Sequence, residues 1–404
     1  MKNFVQKFAA ISMLASVLVA CNSNDETTEG PSQSEGEILA AKLTEQQPIA
    51  IDGEATGWTP GDWAVAVDFP GTNVEDVTAD NADGTLPRDI SEDFTLEENS
   101  TWILSGGVHV RNGATLTIEP GVRVVDLEGE DVAYLMVEQG AKIEANGTAD
   151  NMIVFTSQDQ IPGSWGGIII NGLAPINVEG GKAHPEVGTG IDGEELWYGG
   201  DNPSDDSGSL SYIRLEFGGN EITTDKEHNG FTFNGVGNQT ECHHLQAHKG
   251  DDDGFEWFGG TANASFLVST DNKDDQFDWT EGWTGTLENA YAHVAEGCDR
   301  GFEGDNNSQN HEATPYSHPT LKNITVIAEE NGSDSQGFKI RVGSKVTMEN
   351  VIVKGFPTGV SIEHDVTLKH VDNTYNGDAD DFTVTNLNVS ESSETDIEYK
   401  ASRQ

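Results

Sequence analysis

One short phrase returns along this chain. It reads Gly230-Phe231-Thr232-Phe233, Gly254-Phe255-Glu256-Trp257, Gln276-Phe277-Asp278-Trp279, Gly301-Phe302-Glu303-Gly304, Gly337-Phe338-Lys339-Ile340 and Gly359-Val360-Ser361-Ile362. Its central apolar residues are 24, 22, 25, 36 and 22 positions apart. A second strand-like phrase precedes each one, as in Tyr212–Phe217, Ser265–Val268, Asn323–Val326 and Asn350–Val353. A unit of this size cannot bury an apolar face alone. It must stack on copies of itself, and short strands at such a period define the coils of a solenoid. The fold class expected is all-β: a single-stranded right-handed parallel β-helix with N- and C-terminal caps.

Each strand alternates sides. Phe255 and Trp257 then point inward and Glu256 outward, and stacking builds an inner ladder of Phe231, Phe255, Phe277, Phe302 and Phe338. These aromatics read as core, not as platforms for sugars. Three long insertions interrupt the coils, at 180–208, 219–229 and 304–319. Insertions in a solenoid gather on one face, which is often the binding face.

The register also stacks acids. Asp252 aligns with Asp274 and Asp299, and Asp253 with Asp275 and then Arg300. The outward residues Glu256, Asp278 and Glu303 lead to Lys339. Carboxylates on coils ~4.8 Å apart repel and hold one another's protons. A hard cation offsets this, and calcium takes six to eight such oxygens. Asp252, Asp253, Asp274, Asp275 and Asp299 are the expected calcium ligands. The composition sets the alternative: 70 Asp and Glu against 21 Lys and Arg give a net charge of −49, so a solvated acidic face is its natural product. That balance excludes nucleic acid as a partner and adsorption to anionic lipid by charge.

The N-terminus carries an address. Lys2 and Lys7 precede an apolar run, Phe8–Ala20, too short to span a bilayer. It ends Leu18-Val19-Ala20-Cys21, which resembles the bacterial lipobox. The resemblance implies cleavage before Cys21, lipidation of its thiol and a place at the outer membrane, on its periplasmic or extracellular face. Membrane contact is expected through this anchor only. The domain reading is 1–21 signal peptide and lipobox, 22–45 flexible tether, 46–95 N-terminal cap, 96–390 β-helix and 391–404 polar tail. Cys242 and Cys298 fall on non-adjacent coils and are expected to be free thiols.

Thr101–Leu104, Ala114–Gly121, Leu135–Ile143, Ile153–Thr156 and Trp165–Ile170 resemble the opening coils of bacterial right-handed parallel β-helix (pectin-lyase-like) proteins. That fold hosts lyases, hydrolases, adhesins and inert scaffolds. A narrower likeness runs through Asp253-Gly254-Phe255, Asp274-Asp275, Arg300-Gly301 and Lys339-Ile340-Arg341. It is similar to the motif series of polygalacturonase-type glycoside hydrolases. The similarity implies Asp253, Asp274 and Asp275 as acid and water-activating carboxylates, with Lys339 and Arg341 gripping an acidic sugar. Cys298-Asp299-Arg300 departs from the series where its His motif belongs. A calcium-dependent uronate lyase would use Arg300 as base instead.

Loop aromatics Trp197, Tyr198, Trp283 and Tyr316 are the expected sugar platforms. His243, His244 and His248 read as surface histidines, with His244 sharing an outward column with Arg214. The leading reading is a lipoprotein that binds acidic or neutral polysaccharide with calcium, as a binding or structural module. A polysaccharide-cleaving enzyme is the alternative, and a surface adhesin is a third role with the same signature.

Overall fold

The computed structural model describes residues 33–127, 129, 131–186, 190–223, 226–329, 336–372 and 380–401. The expected leader and Cys21 lie outside these residues. The repeated phrases form successive rungs of one 11-stranded sheet, here the front sheet. Its rungs run from Asp89–Ile90 and Gly107–Val110 through Phe255–Phe258 and Phe277–Thr280 to Thr395–Lys400. Rungs pair in parallel and in register, with Phe255 opposite Phe277, and Phe277 opposite Phe302. A 14-stranded back sheet closes each coil.

Between the sheets lies the expected aromatic ladder. Phe231, Phe255, Phe277, Phe302 and Phe338 stack with ring centroids 4.9, 5.3, 4.7 and 4.5 Å apart. All are fully buried. Gly304 follows Trp257 and Trp279 in the neighbouring column, because the Trp279 indole occupies the space a side chain there would need.

In the later coils the second and third strands merge into one long strand bent at a left-handed residue. Tyr212, His244 and Phe266 hold that bend at φ 50–57°, and Asn289, Asn323 and Asn350 at 54–62°. Asn tolerates this region, but aromatic residues there are uncommon and strained. Stacking offsets the strain: the Tyr212, His244 and Phe266 rings lie 4.4 Å apart. The asparagines bond in series, Asn350 donating to Asn323 at 2.7 Å and Asn323 to Asn289 at 3.0 Å.

The N-terminal segments differ from expectation. The tether reading, 22–45, gives way over Glu35–Gln46 to a helix, α1. Ser34 and Glu37 form a capping box, and Leu43 is buried in the core. α1 packs on the helix Asp365–Asp372, α2, where Lys42 meets Asp372 at 2.5 Å. Residues 46–95 do not cap the first coil. Residues 47–82 run back along the outside of the back sheet, from the last coil to the first. Ile51 bridges Leu387, and the Thr56 and Trp58 amides donate to Asn350 and Thr325. Val65 exchanges two bonds with Gln246, and Thr72 gives two to Glu216. The strap satisfies polar side chains that the back sheet would otherwise bury unpaired. The helix also begins earlier and ends later than the 96–390 reading. Gly84–Leu96 forms the first coil, and Thr395–Lys400, expected as tail, pairs with Thr358–Glu363.

Two substitutions test these contacts by denaturant unfolding. Phe277→Ala empties the middle of the ladder and is expected to cost about 3–5 kcal/mol. Gln246→Ala leaves the Val65 amide and carbonyl unpaired and is expected to cost about 1–3 kcal/mol.

Candidate cation-binding cleft

The outward residues of the front sheet form one column across the middle coils. It reads Thr232, Glu256, Asp278, Glu303 and Lys339, each directly opposite the next. The insertions gather over this face, as their lengths predicted. Asn229, from one, donates to Glu256 at 2.5 Å. Tyr198, from another, donates to Glu281 at 2.7 Å. Asn177 joins its loop to the third insertion through Asn306 at 2.7 Å.

The turn before each rung carries the acids that the register aligned. Asp252, Asp253 and Asp274 bring carboxylate oxygens within 4.8 Å of one another, and so do Asp274, Asp275 and Asp299. Two further groups include the outward column: Asp253, Glu256 and Asp278, and Asp275, Asp278 and Glu303. Glu256 and Asp278 were legible as outward acids but were not assigned as ligands. Their place beside Asp253 depends on the turn folding back over its own strand.

Basic residues divide the cluster in two. Arg300 reaches Asp275 at 3.5 Å, Asp299 at 2.5 Å and Glu303 at 3.0 Å. Lys339 lies 3.2 Å from Glu303, and Arg341 pairs with both Glu303 and Asp305. Three of the residues expected to contact a sugar or its proton therefore hold carboxylates of this chain. Burial disfavours the Arg300 cation, but Asp275, Glu303, Asp299 and Asp274 together outweigh that and raise its pKa, which opposes a role as base. Among the described residues, no cation reaches ion-pair distance of Asp252, Asp253, Glu256, Asp274 or Asp278.

Asp252, Asp253 and Glu256 are buried and Asp278 is half-buried among them, while Asp274 is exposed. Burial, then Asp274, Glu227 and Glu186, push Asp252 up to about 8. Burial also holds Asp253, Glu256 and Asp278 well above the carboxylate range, reinforced by their neighbours. Asp278 Oδ1 is buried without a hydrogen-bond partner. Asp253 accepts from the Asp275 amide at 2.8 Å, which fixes its rotamer. Glu186, which the sequence reading did not single out, is pushed up to about 7 by burial and then Glu227 and Glu281. This donor set is all oxygen and densely anionic, which fits a hard divalent cation rather than a soft one.

The other candidates sort by exposure. Trp283 and Tyr198 are buried, so neither is a platform; the Trp283 indole donates to the Ala262 carbonyl at 3.0 Å. Tyr316 lies under the Lys345 ammonium at 4.4 Å. Trp197 is 39% exposed, with the His184 ring 3.7 Å from its own. His248 is buried and bonds Thr270 and the strap carbonyl of Phe69. His244 sits in the bend column, and Arg214 aligns with Gln246 instead. Cys242 and Cys298 are buried free thiols, as expected.

The stacked parallel coils and the roofed acidic face define the class: a parallel β-helix of the pectin-lyase-like type. A family model described as pectate-lyase-like β-helix domain matches residues 88–403. The chain belongs to that family, and membership points to a polysaccharide-related role. Comparison with curated proteins and with solved structures gives no significant match.

The raised acids predict an unusual pH response. A carboxyl whose folded pKa lies above its unfolded value binds more protons when folded, so stability falls as pH rises between the two values. For Asp252 that window runs from 3.8 to about 8. In chelator, the melting temperature is expected to fall across this range. Asp252→Asn is expected to flatten the fall.

Proposed function

We propose that this protein binds extracellular or cell-surface polysaccharide through calcium held on the acidic cleft, as a lipid-anchored module of the outer membrane. One observation carries the calcium reading. Two groups of three acids, sharing Asp253, have no counter-ion among the described residues. Asp252, Asp253 and Asp274 form one, and Asp253, Glu256 and Asp278 the other. A calcium ion needs more oxygens than either group supplies, which leaves coordination positions for the hydroxyls or carboxylates of a sugar. The ion would offset the burial and the mutual repulsion that raise these acids. The anchor reading is supported by the leader ending at Cys21.

Binding is better supported than cleavage. The polygalacturonase-type reading needs water between two carboxyls ~6.5–9.5 Å apart. Asp253 and Asp274 bring carboxylate oxygens within 4.8 Å of each other, as do Asp274 and Asp275, which leaves little room for that water. The lyase reading needs a basic Arg300, and three carboxylates hold that side chain as a cation. Exposed Trp197 offers a platform to a neutral or acidic ring.

The test is retention of the protein on immobilised polyuronate and neutral glycans, with calcium and with chelator. Calcium-dependent retention without new reducing ends or unsaturated product is expected, and Asp253→Asn is expected to abolish it. Reducing ends without unsaturation would establish a hydrolase, and unsaturation a lyase. Equal retention in chelator would overturn the calcium reading. Mass analysis of the mature N-terminus should find a lipidated Cys21, and Cys21→Ala should release the protein from membranes.

A further inference from the structure

The bend column of the back sheet changes chemistry part-way along. On three successive coils the bend residue is Tyr212, His244 and Phe266. On the next four it is Asn289, Asn323, Asn350 and Asn386. All have positive φ. Asparagine adopts that backbone readily, whereas bulky Tyr212 and Phe266 are strained in it. Ring stacking offsets the strain but does not account for it, because asparagine at the same places would carry little. Strain that a repeat could shed but keeps is typical of ligand-binding positions.

The neighbouring outward row changes at the same coil. Beside the rings it reads Ser211, His243 and Ser265, and beside the asparagines Glu288, Lys322 and Glu349. In a chain of net charge −49, the ring-bearing coils thus place hydroxyl and imidazole groups in this row. Glu241 lies one row further out, opposite Ser209. The strap adds two rings over the same coils. Trp63 lies 6.4 Å from Tyr212 and 5.2 Å from His244, and Trp58 lies 5.8 Å from Phe266, at interplanar angles of 66–88°. The Trp58 amide donates to Thr325 at 2.9 Å and Val65 bonds Gln246, so the strap is pinned on both sides of this crossing. The two indoles are therefore held in place before any ligand arrives. The ladder of the core is fully buried, but Trp58, Trp63, Tyr212, His243, His244 and Phe266 are all part-exposed.

We infer that this ring cluster is a second carbohydrate site, which takes a neutral sugar without calcium. The C–H face of a pyranose is apolar and weakly positive, and the negative faces of aromatic rings attract it. His243 and Ser265, at the edge of the cluster, can hydrogen-bond the hydroxyls around that face. A uronate would meet the repulsion of the whole acidic molecule here, with no cation to offset it. The site lies on the back sheet and uses none of the residues of the acidic cleft.

The experiment is native affinity electrophoresis of the full-length protein, in chelator, through gels cast with a β-glucan, a mannan, a xylan or an α-glucan. Retardation by at least one polymer is expected. Trp63→Ala is expected to weaken that binding about tenfold, the loss of one stacked ring. The triple variant Tyr212→Asn, His244→Asn, Phe266→Asn extends the asparagine ladder, so it is expected to unfold cooperatively and to lose the retardation. No retardation by any of the four polymers overturns the inference, and so does undiminished retardation of Trp63→Ala or of the folded triple variant. If the triple variant fails to fold, Trp63→Ala decides alone. Calcium-dependent retention on polyuronate is measured separately, so failure here leaves the cleft reading standing.

Discussion

Parallel pairing of successive coils fixes everything else in this molecule. Each rung of the front sheet hydrogen-bonds to the next in register, so residues two dozen apart in sequence come to one strand spacing in space. Inside, that spacing is close to what stacked aromatic rings prefer, and the ladder from Phe231 to Phe338 satisfies it. Outside, the same spacing forces Glu256, Asp278 and Glu303 together. The geometry that stabilises the core therefore creates the repulsion at the surface. A site built this way gains its charge density from the repeat itself, with no need for a specialised loop.

The molecule resolves that repulsion differently along the column. Towards the later coils, Arg300, Lys339 and Arg341 converge on Glu303 and its neighbours. Towards the earlier coils no basic side chain among the described residues reaches ion-pair distance, and burial raises the acids. The cleft thus has an unpaired acidic half and a paired half only a rung or two away. The insertions deepen the contrast, because Asn229 holds the buried Glu256 and Tyr198 holds Glu281, while Asp274 stays open to solvent.

The strap and α1 give the back of the solenoid a different task. An open solenoid exposes strand edges and core at its ends. Here the first described segment closes the last coil, through Leu43 and the contact with α2, and then returns along the back sheet. Glu216, wholly buried, would be untenable on that face without the Thr72 bonds and its pairing with Arg214. Among the described residues the front sheet carries no such strap, and its face is taken by the insertions and the acidic column.

Periodicity alone determined the fold, the inner aromatic ladder and the alignment of Asp252 with Asp274 or Asp253 with Asp275. A repeat locks residue spacing to spatial neighbourhood, so counting along the chain was enough. The Ser34–Glu37 capping box went unread, because the polar composition around it suggested a tether rather than a helix. Other features were decided only by tertiary structure. Which acids keep a counter-ion depends on side chains such as Arg300 bending towards particular neighbours, and the repeat does not encode that. The burial of Trp283 and Tyr198 and the course of residues 47–82 depend on non-repeating segments. Those segments take their conformation from the surface they pack against, and that surface exists only once the coils have stacked.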